Sequence, residues 1–356
     1  MTSALKLTVY FGERDRVGGR FLADALLEIF AAHGLAASVM LRGVEGFGVK
    51  HQLRTDRLLT LSEDLPLVAV AVDEAARIQS ALAEVQELPF GGLITLERAE
   101  LVEGDSFDVD DDDQLKLSLY FGRGIRKDAR PAYEEAVALL HDAGVAGATV
   151  LLGVDGTLAG SRRRGRFFSR NLEVPVMLIS VGRAADLRRA AGRFDSLPTT
   201  RVATVERIRA LKRDGTQLAD LDGLPAGDTN GLDRWLKLML YSSEQNRFEG
   251  RPAHVAAVHA LRQAGASGAT ALRGVWGYHG DHRPHGDSFW TVRRRVPTVT
   301  VVVDLPDRAE RWLQILDSVT PTRGLVTAEV VPAFRAAGPD VIHGGLRIAE
   351  RWRDQS

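Results

Sequence analysis

The sequence predicts an α+β chain of three tandem βαββαβ units, and three observations carry the prediction. The first is an internal repeat: "LKLTVYFGE" at Leu5, "LKLSLYFGR" at Leu115 and "LKLMLYSSE" at Leu236 align, and the likeness continues through most of a domain. Gly34, Gly144 and Gly265 correspond, as do Gly43, Gly153 and Gly274, then Gly46, Gly156 and Gly277, at offsets of 110 and 121 residues. The second is a switch, within each unit, between segments of period two and segments of helical spacing. The third is length: 356 residues with a 45% apolar fraction exceed one small core and suit several.

The elements follow in order. "LKLTVYF" sets Leu5, Leu7 and Val9 against Lys6 and Thr8, the alternation of a strand with one buried face. "FLADALLEIFAAHG" spaces Leu22, Leu26, Ile29 and Phe30 as one helical face, with Gly34 as its stop. "SVMLRGV" and "LPLVAVAVD" read as strands two and three. "EAARIQSALAEV" supplies Ile78, Leu82 and Val85 to a second helix, and "GGLITLERAEL" closes the unit as a fourth strand. That order is the ferredoxin-like arrangement, an antiparallel four-stranded sheet covered on one face by two helices. The expected domains are 1–103, 114–211 and 234–333, the last two degenerate, with linkers at 104–113 and 212–233. The acidic "EGDSFDVDDDDQ" reads as a solvated spacer, and the tail 334–356 carries a short amphipathic segment, "GGLRIAERWR", expected as a helix.

Between strands two and three each unit carries a loop longer than a hairpin needs, which points to binding or contact. The three copies diverge: the first is mixed in charge with His51 and Arg54, the second is basic through Arg162, Arg163, Arg164, Arg166 and Arg170, and the third is rich in His and Arg. These residues are candidates for contacts with a partner protein.

The "GVEGFG" of Gly43 to Gly48, the long loop, "LSEDLP" at Leu61 to Pro66, "GGLIT" at Gly91 to Thr95 and "YFGE" at Tyr10 to Glu13 resemble the PII-like proteins of the domain of unknown function 190 family. The first unit matches over nearly its whole length and the others over their first forty residues or so. The resemblance implies three PII-like domains closed into a covalent pseudo-trimer, monomeric as a chain. It implies a small anionic ligand, an adenine nucleotide among the candidates, held in a cleft between units, and signalling through the long loops to a partner such as a membrane transporter. Carried over by residue, it assigns Gly46, Phe47 and Gly48 to the loop base and Gly91 and Gly92 to a phosphate-holding glycine turn. Units two and three depart from that pattern, so three equivalent clefts are not expected.

Composition sets the exclusions. A net charge of −1 does not recommend nucleic acid or an anionic membrane. The absence of cysteine removes disulfides, thiolate ligands and a cysteine nucleophile. Neither a signal peptide nor an apolar span long enough for a membrane is evident, so a cytoplasmic protein is expected. No GxxxxGK[ST], HExxH or GxSxG is present and no carboxylate pair stands out, so a non-enzymatic role is expected. One cluster competes with the sensor reading. "GYHGDHRPHGD" gathers His279, His282, His285 and Asp287, donor types that zinc, nickel or copper accept, and supports an alternative as a metal-binding protein similar to the CutA proteins.

Overall fold

The computed structural model describes residues 2–48, 52–55, 64–102, 109–127, 130–158, 160–162, 174–197, 201–224, 234–279, 283–286, 296–336 and 342–346. In repeat 1 the elements are β1 (Thr2–Gly12), α1 (Leu22–Ala32), β2 (Ala37–Arg42), β3 (Glu45–Phe47), β4 (Pro66–Glu74), α2 (Ala75–Gln86) and β5 (Gly92–Leu101). Repeat 2 has β6 (Gln114–Gly122), α3 (Ala132–Asp142), β7 (Gly147–Leu158), β8 (Pro175–Arg183), α4 (Ala184–Ala191) and β9 (Arg201–Arg207). It is followed by β10 (Arg209–Arg213) and β11 (Thr216–Gln217). Repeat 3 has β12 (Arg234–Ser243), α5 (Ala253–Gln263), β13 (Ala269–Arg273), β14 (Trp276–His279), β15 (Pro297–Asp304), α6 (Ala309–Val319) and β16 (Leu325–Ala336), and β17 (Ile342–Gly345) pairs back on β16.

Each repeat is an antiparallel sheet in the order second, third, first, fourth strand: β2-β4-β1-β5, β7-β8-β6-β9 and β13-β15-β12-β16. Leu5, Leu7 and Val9 face the helices of their own repeat and pack with Leu22, Leu26, Phe30, Ile78 and Val85. Equivalent cores form in repeats 2 and 3. The opposite face is equally buried. Val70, Val72, Ile179, Val181, Val301 and Val303 of the three third strands meet in one central cluster. A sheet with helices on one side only leaves apolar area on the other, and here two more sheets cover it.

Backbone pairing closes the three repeats into a ring. Just past strand two, each repeat lays a short stretch along the second strand of a neighbour: Gly46 pairs with Thr270, Gly156 with Val39 and Gly277 with Thr149. These are the same positions in the repeat alignment, three times over. They explain the glycines, because a Cβ would stand 2.7 Å from the Ala269 carbonyl at Gly46, 2.3 Å from Ser38 O at Gly156 and 2.1 Å from Ala148 O at Gly277. The fourth strands, with β10 continuing from that of repeat 2, repeat the device: Leu101 pairs with Thr204, Ala210 with Thr327 and Ala333 with Thr95.

One expectation changes. The stretch 212–233, read as a linker, begins as the β10–β11 hairpin on the edge of β16. The tail contributes β17 over 342–345, while most of the segment read as a helix, residues 347–353, lies outside the described residues. Among the described residues no helix is long and apolar enough to cross a membrane.

Candidate functional site

Two features of the central face hold chemistry. Alternation along β1, β6 and β12 turns Lys6, Lys116 and Lys237 toward the middle, and each pairs in register with an acid of its own fourth strand, Glu97, Glu206 and Glu329. Each ammonium also reaches the acid of the next repeat. Lys6 lies 2.6 Å from Glu97 and contacts Glu206, and Lys116 lies 2.9 Å from Glu206 and contacts Glu329. Lys237 lies 3.8 Å from Glu329 and 3.0 Å from Glu97, which closes a six-membered ring of alternating charge. No side chain in it is more than 5% exposed. Thr95 Oγ1 donates to Glu97 at 2.9 Å, and Tyr10, Tyr120 and Tyr241 lie four residues after the lysines on the same three strands.

Burial alone would raise the Glu97 carboxyl, yet the ammonium groups of Lys237, Lys6 and Lys116 outweigh it and hold it well below the usual range. Glu329 behaves likewise, with burial opposed by Lys116 and Lys237. A carboxylate lowered in the folded state contributes stability that is fully present above its unfolded value, about 4.3, and is lost as pH falls through the folded one. Acid unfolding followed by circular dichroism is therefore expected to steepen below about pH 4.

The three carboxylates are also the group of His, Asp and Glu found close enough to share a cation among the described residues. Each already faces two lysines, so their charge is spent within the ring. Lys6 and Thr8, expected on the solvent face of a strand, are buried at 2%. The sequence did carry the signal: Lys and Glu recur at matching positions in all three repeats of a chain with six lysines.

The second feature is a cleft of about 210 Å³ between repeats 1 and 3. Repeat 1 lines it with Phe47 and Gly48 at the end of β3, Gly91 and Gly92 at the start of β5, and Arg54, while repeat 3 contributes Trp235, Gly268, Val301 and Val303. Arg54 packs flat on the backbone of Gly12, where a Cβ would stand 2.6 Å from its guanidinium, and is held by Asp64 at 2.8 Å. Asp15 also borders the cleft, accepting from the Gly12 amide at 2.7 Å. Among the described residues the result is a largely apolar slot with aromatic walls, bordered by the Arg54 cation, the Asp15 carboxylate and a glycine turn.

Threefold equivalence exposes the other two clefts to comparison. Between repeats 3 and 2 the same place retains about 20 Å³, because Tyr278 and His279 stand where repeat 1 has Phe47 and Gly48. Tyr278 donates to Val145 O at 2.8 Å across that boundary. Between repeats 2 and 1, Thr157 and Leu158 take those positions and pair on with Ser38 and Ala37, with Ser38 Oγ 2.8 Å from Thr157 Oγ1.

The residues singled out from sequence are thus distributed as follows. Phe47, Gly48, Gly91 and Gly92 meet at one cleft, joined by Arg54, which was assigned to the partner-contact loop. Gly46 lies behind it in the strand pairing with Thr270. Arg162 pairs with Thr157 in a two-residue hairpin, and His51, Arg163, Arg164, Arg166, His282 and Asp287 lie outside the described residues. His279 is engaged with Asp214 at 2.7 Å and His285 Nδ1 lies 2.9 Å from Arg283 O. Trp235 and Asp214 were not singled out.

A family model described as uncharacterized ACR, domain of unknown function 190, matches residues 4–101, 114–210 and 235–333. A UPF0166 protein of Aquifex aeolicus is 30% identical over 96 residues, 27% of this chain and 90% of that protein. A UPF0166 protein of Methanocaldococcus jannaschii is 25% identical over 109 residues, 30% of this chain and 100% of that protein. Each of these relatives is therefore about one repeat long. The crystal structure of aspartate kinase from Synechocystis aligns with 94% of this chain and 45% of that chain at 11% identity, but its TM-score of 0.23 carries no argument.

Proposed function

The chain belongs to the domain of unknown function 190 family in three tandem copies, and from that premise we propose that it is a non-enzymatic, PII-like regulatory protein. In this reading three ferredoxin-like units form a covalent pseudo-trimer. The chain binds a small anionic ligand, an adenine nucleotide among the candidates, in the cleft between repeats 1 and 3. The observation that carries the reading is the contrast between about 210 Å³ at that cleft and about 20 Å³ at its equivalent.

The chemistry of the lining supports a ligand with a flat apolar part and an anionic end. Phe47, Trp235, Val301 and Val303 offer the apolar walls, and Arg54 with the glycine turn at Gly91 and Gly92 offers a cation and close backbone approach. The long loop leaves repeat 1 after Gly48 and returns at Asp64, so both of its ends sit beside the cleft and its conformation would report occupancy to a partner.

A thermal-shift series on the full chain tests this. ATP, ADP, AMP and cyclic nucleotides are compared with zinc, nickel and copper, because a ligand bound by the folded state alone raises the melting temperature. Stabilisation by at least one nucleotide is expected; stabilisation by metals alone, abolished by His282→Ala and His285→Ala, would transfer the assignment to the His-rich loop.

A further inference from the structure

Beside the closed cleft between repeats 3 and 2, at the glycine turn, a carboxylate of the chain itself is held. The residue in repeat 3 equivalent to Gly92 is Gly324, and its amide donates to the carboxylate of Asp214 at 3.0 Å. The same carboxylate oxygen lies 2.7 Å from Nε2 of His279, the residue that replaces Gly48. Asp214 comes from the stretch that follows repeat 2, at the tip of the β10–β11 hairpin. With Gly215 it forms a two-residue turn in which both residues have positive φ, 48° and 84°, the Asp-Gly geometry that matches the twist of a hairpin.

The hairpin is docked rather than dangling. Leu211 is buried in the core of repeat 3, and Lys212 donates to Thr320 O at 2.8 Å and pairs with the Asp317 carboxylate. The Asp214 amide returns a bond to Gly324 O at 2.8 Å. Burial would raise the Asp214 carboxyl, but the His279 ring and the Gly324 amide outweigh it and hold it below its ordinary value.

Strand register identifies the counterpart in the open cleft. Arg213 pairs with Leu325, so Asp214 stands opposite Gly324; in the first cleft Ala336 stands opposite Gly92. An alanine there carries no carboxylate. Among the described residues, the open cleft therefore has no carboxylate at this register position.

We infer that Asp214 is a built-in anion that occupies the glycine turn beside the second cleft, so that removing its carboxylate creates a second oxyanion site. The inference deepens the reading of the first cleft as an anion site and rests on it for the identity of the group displaced. Phosphate-type oxyanions are the ligand class, since the amide of a glycine turn and an adjacent imidazole are donors suited to them.

Equilibrium dialysis of the full chain against radiolabelled inorganic phosphate provides the test. Asp214→Gly keeps a residue at home at positive φ while removing the carboxylate. It is expected to bind one more phosphate per chain than the wild type, and the gain is expected to vanish when His279→Ala is added. Asp214→Asn, which retains an acceptor for the Gly324 amide, is expected to match the wild type. Equal counts for wild type and Asp214→Gly would overturn the inference. A measurement on the wild type stands beside the variants: phosphate is expected to leave the Gly324 amide resonance unmoved, and a saturable shift there would also overturn it. Failure of the first-cleft reading shows separately, as a wild-type count of zero, while the difference between the two chains still tests Asp214.

Discussion

Lys116→Met is expected to destabilise the chain by about 3–5 kcal/mol, measured as the loss of unfolding free energy in urea. Methionine matches the lysine stem in size and fits the layer, so the loss isolates charge from cavity formation. What remains is two carboxylates, Glu206 and Glu329, that each lose an ammonium neighbour inside a sealed core. Coulomb repulsion and desolvation then act together, and neither acid has solvent within reach. An exposed pair gives the scale. Arg20 and Glu28 are both about half exposed, and Arg20→Ala is expected to cost less than about 1 kcal/mol. A loss for Lys116→Met as small as that of the exposed pair would contradict the ring as an energetic unit. Replacing all six charges together by apolar residues of similar volume is expected to be far less costly than removing one, because it leaves no charge unpaired.

Gly48→His is expected to abolish binding at the first cleft, with at least a tenfold loss of affinity for any nucleotide that stabilises the wild type, and to leave the fold intact. A Cβ at Gly48 meets nothing within 4 Å, so the backbone accepts a side chain without strain. The imidazole would then project into the space that His279 fills in the second cleft, where about 20 Å³ remains. The molecule has in effect carried out this substitution on itself in repeat 3. Calorimetric titration reads the loss, and an unchanged melting temperature without ligand separates it from misfolding. Undiminished binding in a folded Gly48→His chain would move the ligand elsewhere.

Much of the architecture was written in the sequence because repeats and periodicities are local and threefold redundant. The glycines at 46, 156 and 277 aligned before their reason was visible; the reason is the carbonyl of a neighbouring repeat, which no local pattern encodes. The charged ring was missed for a related cause. Alternation in "LKLTVYF" assigns Lys6 to solvent when one sheet is considered alone, and burial of that second face follows only from closure of three sheets. The recurrence of Lys and Glu at matching registers was the available clue. The cleft was legible on its repeat 1 side through the resemblance, but Trp235 lies on the far wall, and Arg54 was grouped with the loop because its position gives no hint that it folds back onto Gly12. Asp214 was hidden in a stretch whose Gly and Asp content reads as linker; the same "RDGT" is equally a hairpin turn, and only the edge of β16 decides between them.

The most direct test of the account is the number of ligands per chain. Native mass spectrometry of the full chain with the nucleotide that stabilises it most is predicted to give one bound molecule per chain, absent in Gly48→His. Two or three molecules on the wild-type chain, or one that persists in Gly48→His, would contradict a single open cleft between repeats 1 and 3.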